Sequence, residues 1–155
     1  PEPAPQPVAA APAPEPQPEE KPCYTLDEII DLMAKNESIE GKTICAVDAI
    51  TFDFSKSTIK PESYAYLDKL ATTLIRSNRR IEVKGHTDNV GSEDFNMNLS
   101  RERAEAVVQY LVKKGVDRNK LTYSYYGMSR PLTTNDTEEG RAMNRRVEFT
   151  ILNNF

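Results

Sequence analysis

The sequence predicts an α/β (α+β) fold, a two-layer sandwich in which two long helices pack on a mixed sheet of about four strands. Three observations lead there. Stretches of alternating apolar residues are interleaved with two long stretches whose apolar residues recur at helical spacing. Their order is strand, helix, strand, helix, strand, strand, which usual connection rules turn into a mixed sheet. The chain of 155 residues is 28% charged and 38% hydrophobic, which suits one folded unit plus a segment that does not fold.

That segment comes first. Residues 1–22 read PEPAPQPVAAAPAPEPQPEEKP, with nine of the eleven prolines and almost no large apolar side chain. Such a stretch cannot bury enough surface to offset its ordering entropy, so an extended Pro/Ala/Glu-rich linker is expected. At roughly 3.1 Å per residue it reaches about 70 Å, a tether implying something upstream. Its Pro-Ala and Pro-Glu repeats lack the basic flank that proline-rich adaptor ligands often carry. No apolar run approaches the roughly 20 residues that span a bilayer, so any membrane attachment would lie upstream.

Residues 23–49 are expected as an extension of short helix and strand packed on the domain, and 50–155 as the domain itself. Thr25-Leu26-Asp27-Glu28 has the form of a capping box, and Leu26, Ile29, Ile30 and Met33 continue at helical spacing to about Lys35. Thr43 to Phe54 is rich in β-branched and aromatic residues and predicts one or two strand segments with a bend near Asp48. Cys23 and Cys45 are the only cysteines and lack C-x-x-C spacing. Either they form a disulfide pinning the domain's start to its first strand, which would indicate an oxidising compartment, or they are two unpaired thiols.

Pro61 opens a longer helix at a position where proline is tolerated, with Tyr64, Leu67, Leu70, Ala71, Leu74 and Ile75 as its inner face. Ile81 and Val83 then alternate with Glu82 and Lys84 in a strand that ends at Gly85-His86-Thr87-Asp88. Asn89 to Gly91 turn the chain. Ala104, Val107, Val108, Leu111 and Val112 follow at helical spacing, making Ser100 the expected N-cap and Arg103 an N3 residue, with Gly115 closing the helix. Lys120 to Tyr126 predicts a strand with Leu121, Tyr123 and Tyr125 on one face. Gly127 to Asn144 reads as a long polar loop, and Arg145 to Leu152 as a last strand with Val147, Phe149 and Ile151 inward and Arg146, Glu148 and Thr150 outward.

The stretch from Gly85 to Arg103 carries the chemistry. A cation near a helix N-terminus adds to the positive end of the dipole, so Arg103 with the free N–H groups makes a carboxylate site. Asp88, at the mouth of the preceding strand, supplies the complementary acid. The pair suits a zwitterion, Asp88 taking an ammonium group and Arg103 the adjacent carboxylate; the alternative is a salt bridge between the two. His86 is the only histidine, so a zinc site would lack a recognisable ligand spacing, and a hydrogen-bonded turn histidine is the simpler reading. Arg76, Arg79, Arg80 and Arg145-Arg146 do not make a nucleic-acid surface. The net charge is -4, and the basic residues are interleaved with acids.

In order along the chain stand Phe52-Asp53-Phe54, Gly85-His86-Thr87-Asp88 with Gly91, Asn98-Leu99-Ser100 with Arg103-Ala104, and Asn144-Arg145-Arg146-Val147-Glu148. This set resembles the OmpA-like peptidoglycan-binding domain, the C-terminal module of many Gram-negative outer-membrane proteins, peptidoglycan-associated lipoproteins and flagellar stator proteins. The resemblance covers about Ile50 to Leu152, and a proline-rich linker ahead of the domain is similar to the family arrangement. It implies that Asp88 binds the ammonium and Arg103 the carboxylate of diaminopimelate in the peptidoglycan stem peptide. It also implies that Asp53 lines the pocket, that Thr87, Asn96 and Asn98 approach the ligand, and that Arg146 contributes or braces the sheet. Ser55 departs from the family's commoner second acid. By this resemblance the chain is a non-catalytic anchor without a cofactor, at the periplasmic face of the outer membrane, with a membrane anchor or β-barrel upstream. A structural or homodimerising envelope module is the alternative. A cell-wall hydrolase using His86 and Asp88 is disfavoured, since no nucleophile elbow or second histidine is present.

Overall fold

A computed structural model of the chain describes residues 22–47, 49–52 and 56–152. The expected linker therefore lies outside the described residues, and so do Asp48, Asp53, Phe54 and Ser55.

Helix α1 (Leu26–Ala34) starts at a complete capping box. The Thr25 hydroxyl accepts from the Glu28 amide at 3.1 Å, and the Glu28 carboxylate accepts from the Thr25 amide at 2.9 Å. Strand β1 (Thr43–Val47) follows. A 3-10 turn at Pro61–Ser63 leads into α2 (Tyr64–Ser77), which ends on Asn78 in the left-handed conformation. Strand β2 (Ile81–His86), α3 (Glu93–Lys113), β3 (Leu121–Tyr125), α4 (Glu138–Asn144) and β4 (Arg146–Ile151) complete the order.

The sheet runs β1-β4-β2-β3. The connection through α3 places β2 and β3 parallel, while β4 inserts between β1 and β2 and runs antiparallel to both. The last strand in sequence thus completes the centre of the sheet. Phe149 faces Ile44 on one side and Val83 on the other, and all three side chains are sealed from solvent. Leu67, Leu70 and Leu74 of α2 and Val107, Val108 and Leu111 of α3 close on this face. Leu26, Ile29 and Ile44 join the same cluster, so α1 and β1 belong to one core with the rest. Cys23 and Cys45 are bridged with Cα atoms 5.3 Å apart, and Tyr24 pairs with β1 by main-chain bonds to Thr43 and Cys45.

Four expectations are corrected. Tyr64 and Ile75 lie outside the inner face of α2, 41% and 48% exposed; the buried stripe is Leu67, Leu70, Ala71 and Leu74, and Tyr64 stacks on Tyr110 at the surface. Helix α3 begins two turns before Ser100, at Ser92, whose hydroxyl accepts from the Phe95 amide. Arg103 therefore sits mid-helix rather than at N3. The polar stretch 127–144 is not all loop, because Thr137 caps α4 through the Gly140 amide. Arg146 points away from the helices as expected, yet it is buried by Glu148 and by the carbonyl oxygens of Asn144 and Arg130.

Candidate functional site

The C-terminal end of β2 is held tightly. A Cβ at Gly85 would strike the Ser100 carbonyl, so glycine lets the strand end against the α3 backbone. The Ser100 hydroxyl accepts from the Gly127 amide and donates to the Met97 carbonyl, each at 2.9 Å. The Thr87 amide donates to the Gly127 carbonyl at 2.8 Å. Strand end, mid-helix and the start of the β3–α4 connection are thus fastened at one point.

Over it opens a cleft of about 550 Å³, walled by Thr87 and Asp88, by Asn96, Leu99 and Arg103 of α3, by Phe52, and by Glu138, Arg141 and Arg145 from the α4 side. Asp88 is buried; its Oδ1 accepts from the Val90 amide at 3.0 Å and its Oδ2 from Arg145 Nη1 at 2.7 Å. Arg145 continues to Glu138 at 2.8 Å, and Glu138 to Arg141 at 3.2 Å.

Arg103 is buried too. Its Nε donates to the Lys56 carbonyl at 3.0 Å, and its guanidinium stands 4.8 Å from the centre of the Phe52 ring. Burial pulls its pKa down to about 10; the Asp88 carboxylate opposes the shift and the Arg145 guanidinium adds to it. The side chain remains cationic at neutral pH. Among the described residues it forms no ion pair, because Asp88 bonds to Arg145 instead. A buried cation without an anion is costly unless a ligand supplies one.

The other expected residues fall into four groups. Thr87 and Asn96 line the cleft, but their side chains serve the turn: Thr87 donates to the Asp88 carbonyl at 2.9 Å and the Asn96 amide to the Val90 carbonyl at 2.9 Å. Asn98 is exposed and lies outside the cleft walls. Arg146 borders a smaller adjoining chamber, and Asp53 lies outside the described residues. His86 is buried, its ring stacked 5.2 Å from that of Tyr126 and its Nε2 3.5 Å from Glu148 Oε1; burial holds its pKa below the usual value of 6.5. The sequence reading missed Arg145, Glu138 and Arg141. The available signal was Asn144-Arg145-Arg146: in an alternating strand, adjacent arginines cannot both take the same face.

The OmpA family matches residues 51–145. Outer membrane porin F of Pseudomonas fluorescens is 46% identical over 103 residues, covering 66% of this chain and 32% of that protein. The peptidoglycan-associated lipoprotein of Pseudomonas aeruginosa is 41% identical over 104 residues, covering 67% of this chain and 62% of that protein. This chain thus spans less than two thirds of either relative. Among solved structures, the cell wall anchor of the T6SS from Pseudomonas aeruginosa superposes with a TM-score of 0.65 at 26% identity, over 86% of this chain and 99% of that one.

Proposed function

Because the chain belongs to the OmpA family, we propose that it is a peptidoglycan anchor that grips the stem peptide through its diaminopimelate residue. The observation that carries this reading is Arg103, a buried guanidinium with no ion-pair partner among the described residues, on the wall of an open cleft that also holds Asp88. Arg103 receives the ligand carboxylate in a bidentate pair. Asp88 receives the ammonium: Arg145 occupies one face of its Oδ2, and a carboxylate has lone pairs to spare for a second donor. The names of the relatives, a peptidoglycan-associated lipoprotein and a cell wall anchor, support this reading. The Cys23–Cys45 bridge supports an oxidising compartment, here the periplasmic face of the outer membrane.

Hydrogen bonds to charged groups contribute about 1.5–3 kcal/mol each, and association subtracts from their sum, so one site holds its ligand modestly. A linker ahead of the domain lets several copies engage one polymer, and effective concentration makes the attachment firm. The test is co-sedimentation with purified peptidoglycan. Arg103→Ala and Asp88→Ala each lose it while their melting temperatures stay close to wild type. Retention by both variants would place the wall contact elsewhere.

A further inference from the structure

Cations collect at the end of the molecule opposite the cleft. Three strands begin there: β1 after Lys42, β2 after Arg79 and Arg80, and β3 after Arg118 and Lys120 of a 3-10 turn. Ile81 pairs with Leu121, which sets the starts of β2 and β3 side by side, and β4 ends against Ile81 at Ile151. Helix α2 closes at this end with Arg76 in its last turn, and α3 with Lys113 in its last turn and Lys114 as its cap. Lys120 Nζ donates to the Asn78 carbonyl at 3.0 Å, and the Leu152 and Ile151 amides donate to the Arg80 and Lys42 carbonyls, which ties these segments together. Eight of the twenty lysines and arginines thus share one end, although the sequence interleaves them with acids.

Few acids answer them. Glu40 stands 3.7 Å from Arg79 and Asp68 3.5 Å from Lys114. Glu37 lies beside Arg79, and Asp117 accepts from the Asn119 amide at 2.9 Å. Arg76, Lys113 and Arg118 are exposed and form no ion pair among the described residues. Helix dipoles account for cations at the ends of α2 and α3, but not for those that precede three strands.

Two further observations define the partner. Ile75 is 48% exposed among these charges, next to Arg76 and with its Cδ1 against Gly115 at the end of α3. The exposed aromatic residues are elsewhere: Tyr64 starts α2, Phe95 lies in the first turn of α3 and Tyr125 ends β3. An aliphatic side chain ringed by cations suits a headgroup layer, whereas a nucleic-acid strand calls for aromatic platforms. In addition, Tyr24 pairs parallel to β1, its amide donating to the Thr43 carbonyl, so the chain ahead of it enters the fold from this same end.

We propose that this end is a docking face for an anionic phospholipid surface. Its cations meet the lipid phosphates and Ile75 enters the headgroup layer. The cleft lies the length of β2 away, about 20 Å, so a domain resting on lipid presents the cleft outward. This contact is additional to wall binding and does not depend on it.

The test is flotation of the full chain with vesicles of phosphatidylglycerol in phosphatidylethanolamine, against vesicles of phosphatidylcholine. Binding to the anionic vesicles alone is expected, falling steeply as salt is raised. The side chains of Arg76 and Lys113 bond to nothing among the described residues, so Arg76→Gln with Lys113→Gln leaves the melting temperature unchanged. It lowers partitioning about thirtyfold, each cation near the surface contributing about fivefold. Ile75→Ser weakens binding severalfold without altering its salt dependence. Lys84→Gln with Arg101→Gln removes the same charge from other faces and floats like wild type. Equal flotation with both kinds of vesicle, or undiminished flotation of the Arg76 and Lys113 double variant, overturns the docking face. So does displacement of the vesicles by stem peptide, which would put the lipid in the cleft, or tighter binding to single-stranded DNA than to anionic vesicles, which would make the patch a nucleic-acid surface. Flotation by a chain that fails to co-sediment with peptidoglycan would sink the wall-anchor reading and leave the docking face in place.

Discussion

Arg103 is held on three sides: Lys56 fixes its Nε, Phe52 faces its guanidinium, and the α3 backbone sets its height. What this arrangement preserves is the planar fork, which is why lysine is a poor substitute. A lysine retains the charge and loses the bidentate geometry, so Arg103→Lys is expected to weaken stem-peptide binding at least about tenfold in calorimetry with little change in melting temperature. His86 and Glu148 set the acid response. Burial lowers the His86 pKa, so the unfolded chain binds a proton that the folded chain refuses, and stability falls as pH drops below 6.5. Glu148 acts in the same direction at lower pH. Burial would raise its pKa, but His86 and the Arg146 guanidinium outweigh burial and hold it at about 2, so its contribution, about 3 kcal/mol, is present above 4.5 and lost as pH falls toward 2. Melting temperature measured from pH 7 to pH 3 should decline in two stages, and His86→Phe should remove the first and weaken the second, because His86 also holds the Glu148 pKa down.

At the scale of elements, α3 shows what periodicity can and cannot reveal. Its C-terminal half was legible because Ala104, Val107, Val108 and Leu111 bury an apolar stripe. Its N-terminal half buries Asn96, Ser100 and Arg103 on the same helical face, so the site itself interrupts the hydrophobic signal and makes Ser100 look like a beginning. Ser92→Ala and Ser100→Ala separate the two roles. The first removes the cap and costs about 1 kcal/mol of global stability. The second orphans the Gly127 amide, costs about 1–3 kcal/mol, and shifts the resonances of the Gly127 connection rather than those of the helix start. Gly85→Ala drives a Cβ into the Ser100 carbonyl, two backbones that cannot both yield, and should lower the melting temperature by several degrees and disturb the cleft. Helix α4 escaped notice because its seven residues carry no apolar stripe, and Arg145 with it. Strands β2, β3 and β4 and helix α2 were read nearly to their ends, since alternation and the Leu67, Leu70, Leu74 spacing are unbroken there, whereas the strand run expected from Thr43 stops at Val47.

For the whole molecule, the order β1-β4-β2-β3 leaves the sheet incomplete until β4 arrives, and β4 enters directly from Arg145. The cleft and the centre of the sheet therefore form together, and amide exchange in β4 should be among the slowest in the chain. Opening the Cys23–Cys45 bridge frees a loop of 22 residues, and reduction is expected to cost about 3 kcal/mol in denaturant melts without displacing the cleft. Tension also has a defined route. A pull on the residues ahead of Cys23 passes through the bridge into Cys45, which pairs across the sheet with Glu148, three residues from the arginine that clasps Asp88. The load thus bypasses α1 and runs as shear along two neighbouring strands, from Cys23 to the cleft. In optical-trap pulling from the N-terminus, wild type should rupture at a higher force than Cys45→Ser, whose first event would be α1 peeling away.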